Sequence, residues 1–232
     1  MPFDSKRFKM KLSESALIVL SILLAFAIDA WWDGRQDEIR EARMIEALKL
    51  ESEENRTELN KTLEDHVFNR TGTDTFFRAS PQEMGQVSVD STGRYISALV
   101  VMWTYDPETS AAEVFLSSSQ QLSLKGQRIR LLASRLLRQL RDAEEERQAY
   151  FNYALESTEI LARTSTSSFR QGASYIPAMA LRLGPPLLEE LRSDEDFVAS
   201  VGMKLYQEMI YNLELRDVSS TLDSLRAAFI EE

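Results

Sequence analysis

His66 is the only histidine of this 232-residue chain and the first residue to weigh for chemistry. Glu64, Asp65 and Asp74 lie near it in sequence and could supply oxygen ligands. A zinc site, however, usually needs three or four ligands that include a second histidine or a cysteine, and the chain has neither. We therefore interpret His66 as a surface histidine near a helix end, and we predict no metal site.

Serine is plentiful, but no serine has the sequence setting of a nucleophile. The chain contains no Gly-x-Ser-x-Gly elbow, and a histidine base has a single candidate. The glycines are isolated, so no glycine-rich phosphate loop is predicted. The acidic runs at residues 144–146 and 194–196 lack the oxygen-rich glycine loop of a calcium site. We predict no catalytic residue, no cofactor and no enzymatic activity.

Five aromatic residues at helical spacing leave two interpretations open. They could line a ligand pocket, or they could pack in a helical core, which is the commoner role for such a pattern. We favour the core, and a small-molecule ligand is not evident from the sequence. The residues are Tyr150, Phe151, Tyr153, Tyr206 and Tyr211.

The overall charge argues against a nucleic-acid partner. The formal net charge is −10 at pH 7, and no basic stripe interrupts the acidic surface. Such a surface repels phosphate backbones. The chain has no cysteine, so disulfides and thiolate metal sites are excluded.

The N-terminal segment, KRFKMKLSESALIVLSILLAFAIDAWWD, combines a basic stub, an apolar run and a tryptophan pair. The strictly apolar part, residues 16–28, is too short for a hydrocarbon core of about 30 Å, whereas residues 12–32 suffice. We predict a transmembrane helix over residues 12–32, with Glu14 and Asp29 at headgroup depth. A cleaved signal peptide ending at Ala25-Phe26-Ala27 is the alternative.

The flanking charges predict an orientation for this span. The stub, residues 1–11, carries four basic side chains, against three in Arg35, Arg40 and Arg43. The positive-inside rule then places the N-terminus in the cytoplasm of a bacterial inner membrane and the C-terminal domain in the periplasm. Trp31 and Trp32 suit the membrane interface, and Asp29 beside them could pair with a polar group of a neighbouring subunit. We predict these three residues as membrane-interface or partner contacts.

The rest of the chain predicts an all-α fold. Residues 33–69 continue as a long helix leaving the membrane, although Ser52 and Asn55 interrupt its apolar face. Residues 70–232 form the outer helical domain, which begins with an irregular segment over residues 70–93 that is rich in turn formers. Further helices are predicted over residues 95–103, 106–119, 125–164 and 193–229. These lengths favour an elongated four-helix-type bundle.

Two stretches carry a resemblance to a known family. One is the anchor with the charged helix that follows it, IVLSILLAFAIDAWWDGRQDEIREARMIEALKLE; the other is DPETSAAEVFLSSSQQLSLKGQRIRLLASRLLRQL. Together they cover about 70 of the 232 residues and resemble bacterial single-pass membrane proteins of the DUF6090-like group. This chain has Ser119-Gln120-Gln121 in place of the group's Ser-Gly turn, and Lys125 where isoleucine is usual. The resemblance implies an anchored helical domain outside the membrane and no activity.

Two functional hypotheses follow from different classes. The first is a membrane-anchored structural or accessory subunit of a larger complex, which bridges the membrane and periplasmic parts. Energy-converting assemblies, such as photosynthetic reaction-centre or respiratory complexes, recruit subunits of this kind. The alternative is an extracytoplasmic ligand-sensing or signalling module that acts through a partner. Under both hypotheses the predicted partners of the protein are the membrane and other subunits of a membrane complex.

Overall fold

The computed structural model describes residues 5–119, 122–164 and 185–230, with side chains from Leu17 onward apart from Ile18 and a few later positions. Every regular element of these residues is helical, which confirms the all-α prediction. The helices are α1 (Ser5–Arg78), α2 (Pro81–Gly85), α3 (Val89–Val100), α4 (Ser110–Ser117), α5 (Leu124–Thr164), α6 (Pro185–Ser193) and α7 (Glu195–Ile230).

Helix α1 is one uninterrupted helix of 74 residues. At about 1.5 Å per residue it is about 110 Å long. It runs past the predicted end at residue 69, so the prediction of an irregular segment over residues 70–93 was wrong for most of that range; only residues 79–80 and 86–88 of it are not helical. The hydroxyls of Thr71 and Thr75 donate to the carbonyls one turn earlier, those of Val67 and Thr71, both at 2.8 Å. These threonines are therefore accommodated within the helix.

Residues 17–35 of α1 lie outside the bundle, and we call them the N-terminal arm. Its described side chains are exposed on every face of the helix. Within the part of the chain whose side chains are described, no helix has a stretch long and apolar enough to cross a membrane. The predicted span over residues 12–32 begins outside that part, because the side chains of residues 12–16 and Ile18 are not described.

Helices α5 and α7 form the long antiparallel pair of the bundle, close to the predicted bounds. Lys125 at the start of α5 donates from Nζ to the carbonyl of Phe229 near the end of α7 (3.1 Å). The start of α7 is capped by Asp194, whose Oδ1 accepts from the Phe197 N–H at 3.0 Å. The acidic run at residues 194–196 thus begins a helix, as its sequence indicates.

The segment between α3 and α5 departs from prediction at both ends. The predicted helix over residues 95–103 ends at Val100, and residues 101–109 are not helical. The helix predicted from Asp106 begins only at Ser110. The reason lies in Asn55, whose side chain bonds both the N–H (2.9 Å) and the carbonyl (2.7 Å) of Glu108, so that Glu108 pairs with α1 instead of starting a helix.

Two apolar clusters form the core. The larger packs α1, α4, α5 and α7 together around buried residues such as Leu59, Phe115 and Leu215. The smaller lies where α3 and α6 cover α1, α5 and α7, around Phe76, Leu188 and other buried side chains. The bundle also buries a group of polar and charged residues, which are the candidates for a functional site.

Gly72→Ala is expected to lower the free energy of unfolding by about 1–3 kcal/mol, the usual cost of overpacking a tight interface. A Cβ atom at Gly72 would lie 2.4 Å from the Cβ of Ala98 on α3. Urea denaturation followed by circular dichroism measures the change. The matched control is Gly202→Ala in α7, which meets nothing within 4 Å and should be stabilising by up to about 1 kcal/mol. Equal effects of the two substitutions would show that α1 and α3 are not in close contact.

Candidate functional site

The three residues predicted as interface contacts lie together on the N-terminal arm. Asp29 is exposed, and the side chains of Trp31 and Trp32 are 67% and 55% exposed. The tryptophan rings have centroids 6.3 Å apart and are tilted by 52°. The contact that these side chains make with a membrane or a partner stays a prediction.

Inside the bundle, one face of α1 presents buried polar side chains at intervals of one to three turns. We call these residues the polar row. Most of them contact the non-helical segment 101–109 or the starts of α4 and α5, and the last one contacts α3. The row consists of Glu41, Glu51, Asn55, Thr62, His66, Asn69 and Thr73.

The two glutamates of the row cap helices far away in sequence. Glu51 accepts hydrogen bonds from the N–H groups of Ala111 (2.5 Å) and Ala112 (3.0 Å) at the start of α4. Glu41 accepts from the backbone N–H of Ser123 at 3.0 Å and from its hydroxyl at 2.5 Å, next to the start of α5. The first N–H groups of a helix lack partners within the helix and favour a nearby negative charge. The carboxylates therefore fix the positions of both helices against α1.

The middle of the row satisfies the backbone of residues 101–109. Besides Asn55, which pairs with Glu108, Asn69 donates from Nδ2 to the Val101 carbonyl at 3.1 Å. Because an irregular segment that packs against a helix must find partners for the peptide groups that face the helix, these side chains determine its path. The polar interruptions of the apolar face of α1 are thus part of the packing.

His66 is buried, with 2% of its surface exposed, so the interpretation as a surface histidine was wrong. Its Nε2 lies 2.8 Å from the carbonyl oxygen of Trp103, and its Nδ1 lies 2.6 Å from Oδ1 of Asn212. A carbonyl oxygen can only accept, so Nε2 donates to Trp103. The amide oxygen of Asn212 also only accepts, so Nδ1 accepts from Asn212 when the amide is turned to present its Nδ2. The charged residues next to His66 in sequence had suggested that its side chain is exposed. It is buried because the carbonyl of Trp103 in the distant segment 101–109 needs a hydrogen-bond donor.

Lys204, Glu208 and Tyr150 form a buried cluster beside His66, which we call the Lys–Glu cluster. Lys204 Nζ lies 3.9 Å from Glu208 Oε2 and donates to the Ala98 carbonyl at 3.0 Å. Tyr150 donates from its hydroxyl to Glu208 Oε2 at 3.0 Å. The other oxygen of the carboxylate, Oε1, has no hydrogen-bond partner among the described residues. A buried ion pair with one unsatisfied oxygen is costly unless something else pairs with it.

Burial shifts the ionisation of the Lys–Glu cluster. It raises the pKa of Glu208, an effect that the charge of Lys204 partly opposes. It lowers the pKa of Lys204 to about 8, against the favourable charge of Glu208. The pKa of Tyr150 is raised well above its usual range by burial and by the adjacent Glu208. At neutral pH the tyrosine is thus a hydrogen-bond donor and not a nucleophile.

A cavity of about 550 Å³ opens between α1 and α7, next to the Lys–Glu cluster. Glu208 and His66 form part of its wall, and most of the rest is apolar. The other residues that line it are Leu63, Val67, Arg70, Asp74, Gly202, Leu205, Tyr206, Met209, Asn212, Leu213 and Arg216. Across the described residues, no group of three or more His, Cys, Asp or Glu side chains could hold a metal ion.

The aromatic residues divide between the two interpretations that the sequence left open. Tyr150 and Tyr211 are buried core residues, with ring centroids 6.1 Å apart, which confirms the favoured interpretation for this pair. The hydroxyl of Tyr211 accepts a hydrogen bond from the Tyr105 N–H at 3.1 Å. Tyr206 is half exposed and lines the cavity, and Phe151 is exposed on α5.

Sequence reasoning missed the Lys–Glu cluster because a lysine four residues before a glutamate usually forms a solvated helix face. A signal was nevertheless present. Lys204 and Glu208 occupy the same helical stripe as Val201, Tyr211 and Leu215, all of which are buried. When two opposite charges continue an apolar stripe of a helix, the pattern indicates that the two side chains are buried together.

Comparisons of the chain with protein-family models, with curated proteins and with solved structures gave no match. The resemblance to the DUF6090-like group is therefore carried by the two quoted stretches alone.

Proposed function

We propose that this protein is a membrane-anchored accessory subunit, which holds a helical domain at a bacterial inner membrane and joins other subunits of a larger complex there. One observation carries the proposal: the N-terminal arm is apolar, exposed on all faces and continuous with the first helix of the bundle. The cytoplasmic position of the N-terminus and the periplasmic position of the bundle follow from the flanking charges.

The arm exposes an unusual amount of apolar surface. A helix that is apolar all round is normally buried in a protein or in lipid, and large exposed apolar patches mark interaction sites. Water is thus an unfavourable environment for this segment, and lipid is the solvent that covers every face at once. The side chains at least half exposed are Leu17, Val19, Leu20, Ile22, Leu23, Leu24, Phe26, Ile28, Trp31 and Trp32.

The continuity of α1 supports the subunit role. No loop separates the arm from the polar row, so the bundle is held at a fixed distance from whatever binds the arm. Asp29, Trp31 and Trp32 lie near the point where the apolar sequence changes to charged sequence, and an exposed ion pair, Arg35–Glu38, follows directly. These three residues are the proposed contacts with a neighbouring subunit, and energy-converting complexes are the class of assembly we would test first.

Alkaline carbonate extraction of membranes tests the anchor. The full-length chain is expected to stay in the membrane pellet, and the double variant Ile22→Lys/Phe26→Lys is expected to move to the supernatant. Each lysine near the middle of a span costs about 2.5–3.5 kcal/mol of insertion free energy. The matched control is Leu124→Lys/Leu131→Lys, which places two lysines at exposed positions of α5 and should stay in the pellet. Release of the wild-type chain, or equal release of the control, would contradict the anchor.

Native mass spectrometry after mild solubilisation tests the partner. The wild-type chain is expected to co-migrate with other membrane proteins. The triple variant Asp29→Asn/Trp31→Ala/Trp32→Ala should lose these proteins while remaining in the pellet. A wild-type chain recovered only as a monomer would overturn the subunit role and leave the anchor standing.

A further inference from the structure

The cavity between α1 and α7 is an open groove with exposed apolar side chains on both walls, and we call it the α1–α7 groove. Val67 of α1 and Met209 and Leu213 of α7 line it, and each of them is about half exposed or more. Elsewhere α3 and α4 pack on α1, and α5 packs on α7, but no described element covers the groove. Exposed apolar side chains that are grouped in this way mark an interaction site.

The lining residues recur along both helices with the spacing of a helix-packing seam. The intervals between them alternate between four and three residues, the heptad pattern into which a neighbouring helix fits its own side chains. The stripes cover residues 63–74 and 202–216, which is about 17 and 21 Å at about 1.5 Å per residue and matches three to four turns of a helix. They consist of Leu63, Val67, Arg70 and Asp74 in α1, and of Gly202, Tyr206, Met209, Leu213 and Arg216 in α7.

Two arginines lie at different heights along the α1–α7 groove. His66 of α1 is bonded to Asn212 of α7, and the two helices run in opposite directions. Arg70 follows His66 by four residues, and Arg216 follows Asn212 by four, so the arginines lie on opposite sides of the bonded pair. Eight residues at about 1.5 Å each place them about 12 Å apart along the groove.

The exposed part of the groove lining is positively charged. Neither Arg70 nor Arg216 forms an ion pair with a described side chain, and the exposed acidic residue of the lining, Asp74, is paired with Arg78 at 3.5 Å. Arg70 also favours the ionised form of Glu208, but that carboxylate is buried behind the wall, in the Lys–Glu cluster. The groove therefore favours an occupant with negative charges. A second copy seated groove to groove is disfavoured, because it would set arginine against arginine.

We propose that the α1–α7 groove binds an amphipathic helix of a partner protein, with apolar residues at heptad spacing and two acidic residues seven positions apart. Such residues lie on one face of a helix, about 10.5 Å apart, and so reach Arg70 and Arg216 together. Binding of an amphipathic helix in an apolar groove is a common mode of recognition. A small anionic molecule pairs with one arginine and leaves the other, with much of both stripes, exposed to water.

This contact is additional to the three residues of the N-terminal arm. It rests on the proposed function only in that the occupant is another protein. Because the groove belongs to the bundle, the contact does not require the arm to lie in a membrane.

Site-specific photocross-linking of the full-length protein in its native cells tests the groove. The probe is p-benzoylphenylalanine, placed in turn at Tyr206 and Leu213 in the groove and, as the matched control, at the exposed Leu131 of α5. Mass spectrometry is expected to find the same partner protein at both groove positions and not at Leu131. The link should lie on a heptad-spaced segment that has two acidic residues seven positions apart.

Charge variants make the test specific. Arg70→Glu/Arg216→Glu is expected to lower the yield of the cross-link at least about tenfold, because two attractive contacts become repulsive. Arg70→Lys/Arg216→Lys keeps both charges and should keep most of the yield. Replacing the two acidic residues of the partner with lysine should restore the cross-link to the glutamate variant.

Four results would overturn the proposal: cross-links only to lipid, to a second copy or within the chain; a linked partner segment without the two acidic residues; a yield that the glutamate variant leaves unchanged; or no cross-link beyond that of the Leu131 control. If the groove fails in one of these ways while native mass spectrometry still finds co-migrating proteins that depend on Asp29, Trp31 and Trp32, the groove is refuted and the subunit role stands.

Discussion

Lys204→Met is expected to lower the free energy of unfolding by about 3–5 kcal/mol, the usual cost of removing one partner of a buried ion pair. The side chain of Lys204 is almost fully buried, and its Nζ lies 3.9 Å from Glu208 Oε2. Methionine keeps the length of the side chain but removes the charge, so Glu208 must either remain ionised without a counter-charge or take up a proton. Chemical denaturation of the full-length chain at neutral pH measures the loss.

The double variant Lys204→Met/Glu208→Gln is expected to recover most of this stability. A glutamine carbonyl can still accept from the Tyr150 hydroxyl, and it carries no charge. The Ala98 carbonyl, which loses Lys204, retains the hydroxyl of Thr73 at 3.4 Å. If the double variant is no more stable than Lys204→Met, the loss comes from packing and the ion pair is not its cause.

Glu51→Ala is expected to lower the free energy of unfolding by about 2–4 kcal/mol, because it removes a charged cap from the start of α4. The carboxylate accepts from two backbone N–H groups and from the Ser110 hydroxyl at 3.3 Å. The N–H of Ala112, a fully buried residue, would be left without its acceptor. Hydrogen exchange should show the amides of Ala111 and Ala112 losing protection before those of α5.

Two further variants define the contribution of the cap. Glu51→Gln keeps one acceptor oxygen and no charge, so about half of the loss should remain. Glu54→Ala changes an exposed glutamate of the same helix and should have an effect within about 0.5 kcal/mol. A loss for Glu51→Ala as small as that for Glu54→Ala would mean that α4 is held by its apolar face alone.

The regular parts of the fold could be predicted from the sequence, because local periodicity determines them. In α5, Ile129, Ala133 and Leu136 recur at three and four residues and are buried as that spacing predicts. The acidic start of α7 was visible for the same reason, although the cap is Asp194 and not Ser193, the first residue of the predicted helix.

The candidate site could not be predicted, because its polar residues obtain their partners from distant parts of the chain. Asn55 reaches Glu108 across 53 residues, and His66 reaches Asn212 across 146. The spacing of residues shows only that a polar residue lies on an apolar face of a helix. It does not show that a peptide group from a distant segment faces that residue and needs a hydrogen bond. Glu51 and His66 therefore had the sequence pattern of exposed residues.

The partners of the polar row are synthesised much later than the row itself, because they lie far along the chain. Glu41 is synthesised 82 residues before Ser123, whose N–H and hydroxyl donate hydrogen bonds to its carboxylate. At about 5–20 residues per second that interval lasts about 4–16 s. Throughout it, the buried face of α1 remains hydrated and open, while the N-terminal arm has already been synthesised. If the arm anchors the protein as proposed, it can therefore reach the membrane before the bundle has folded.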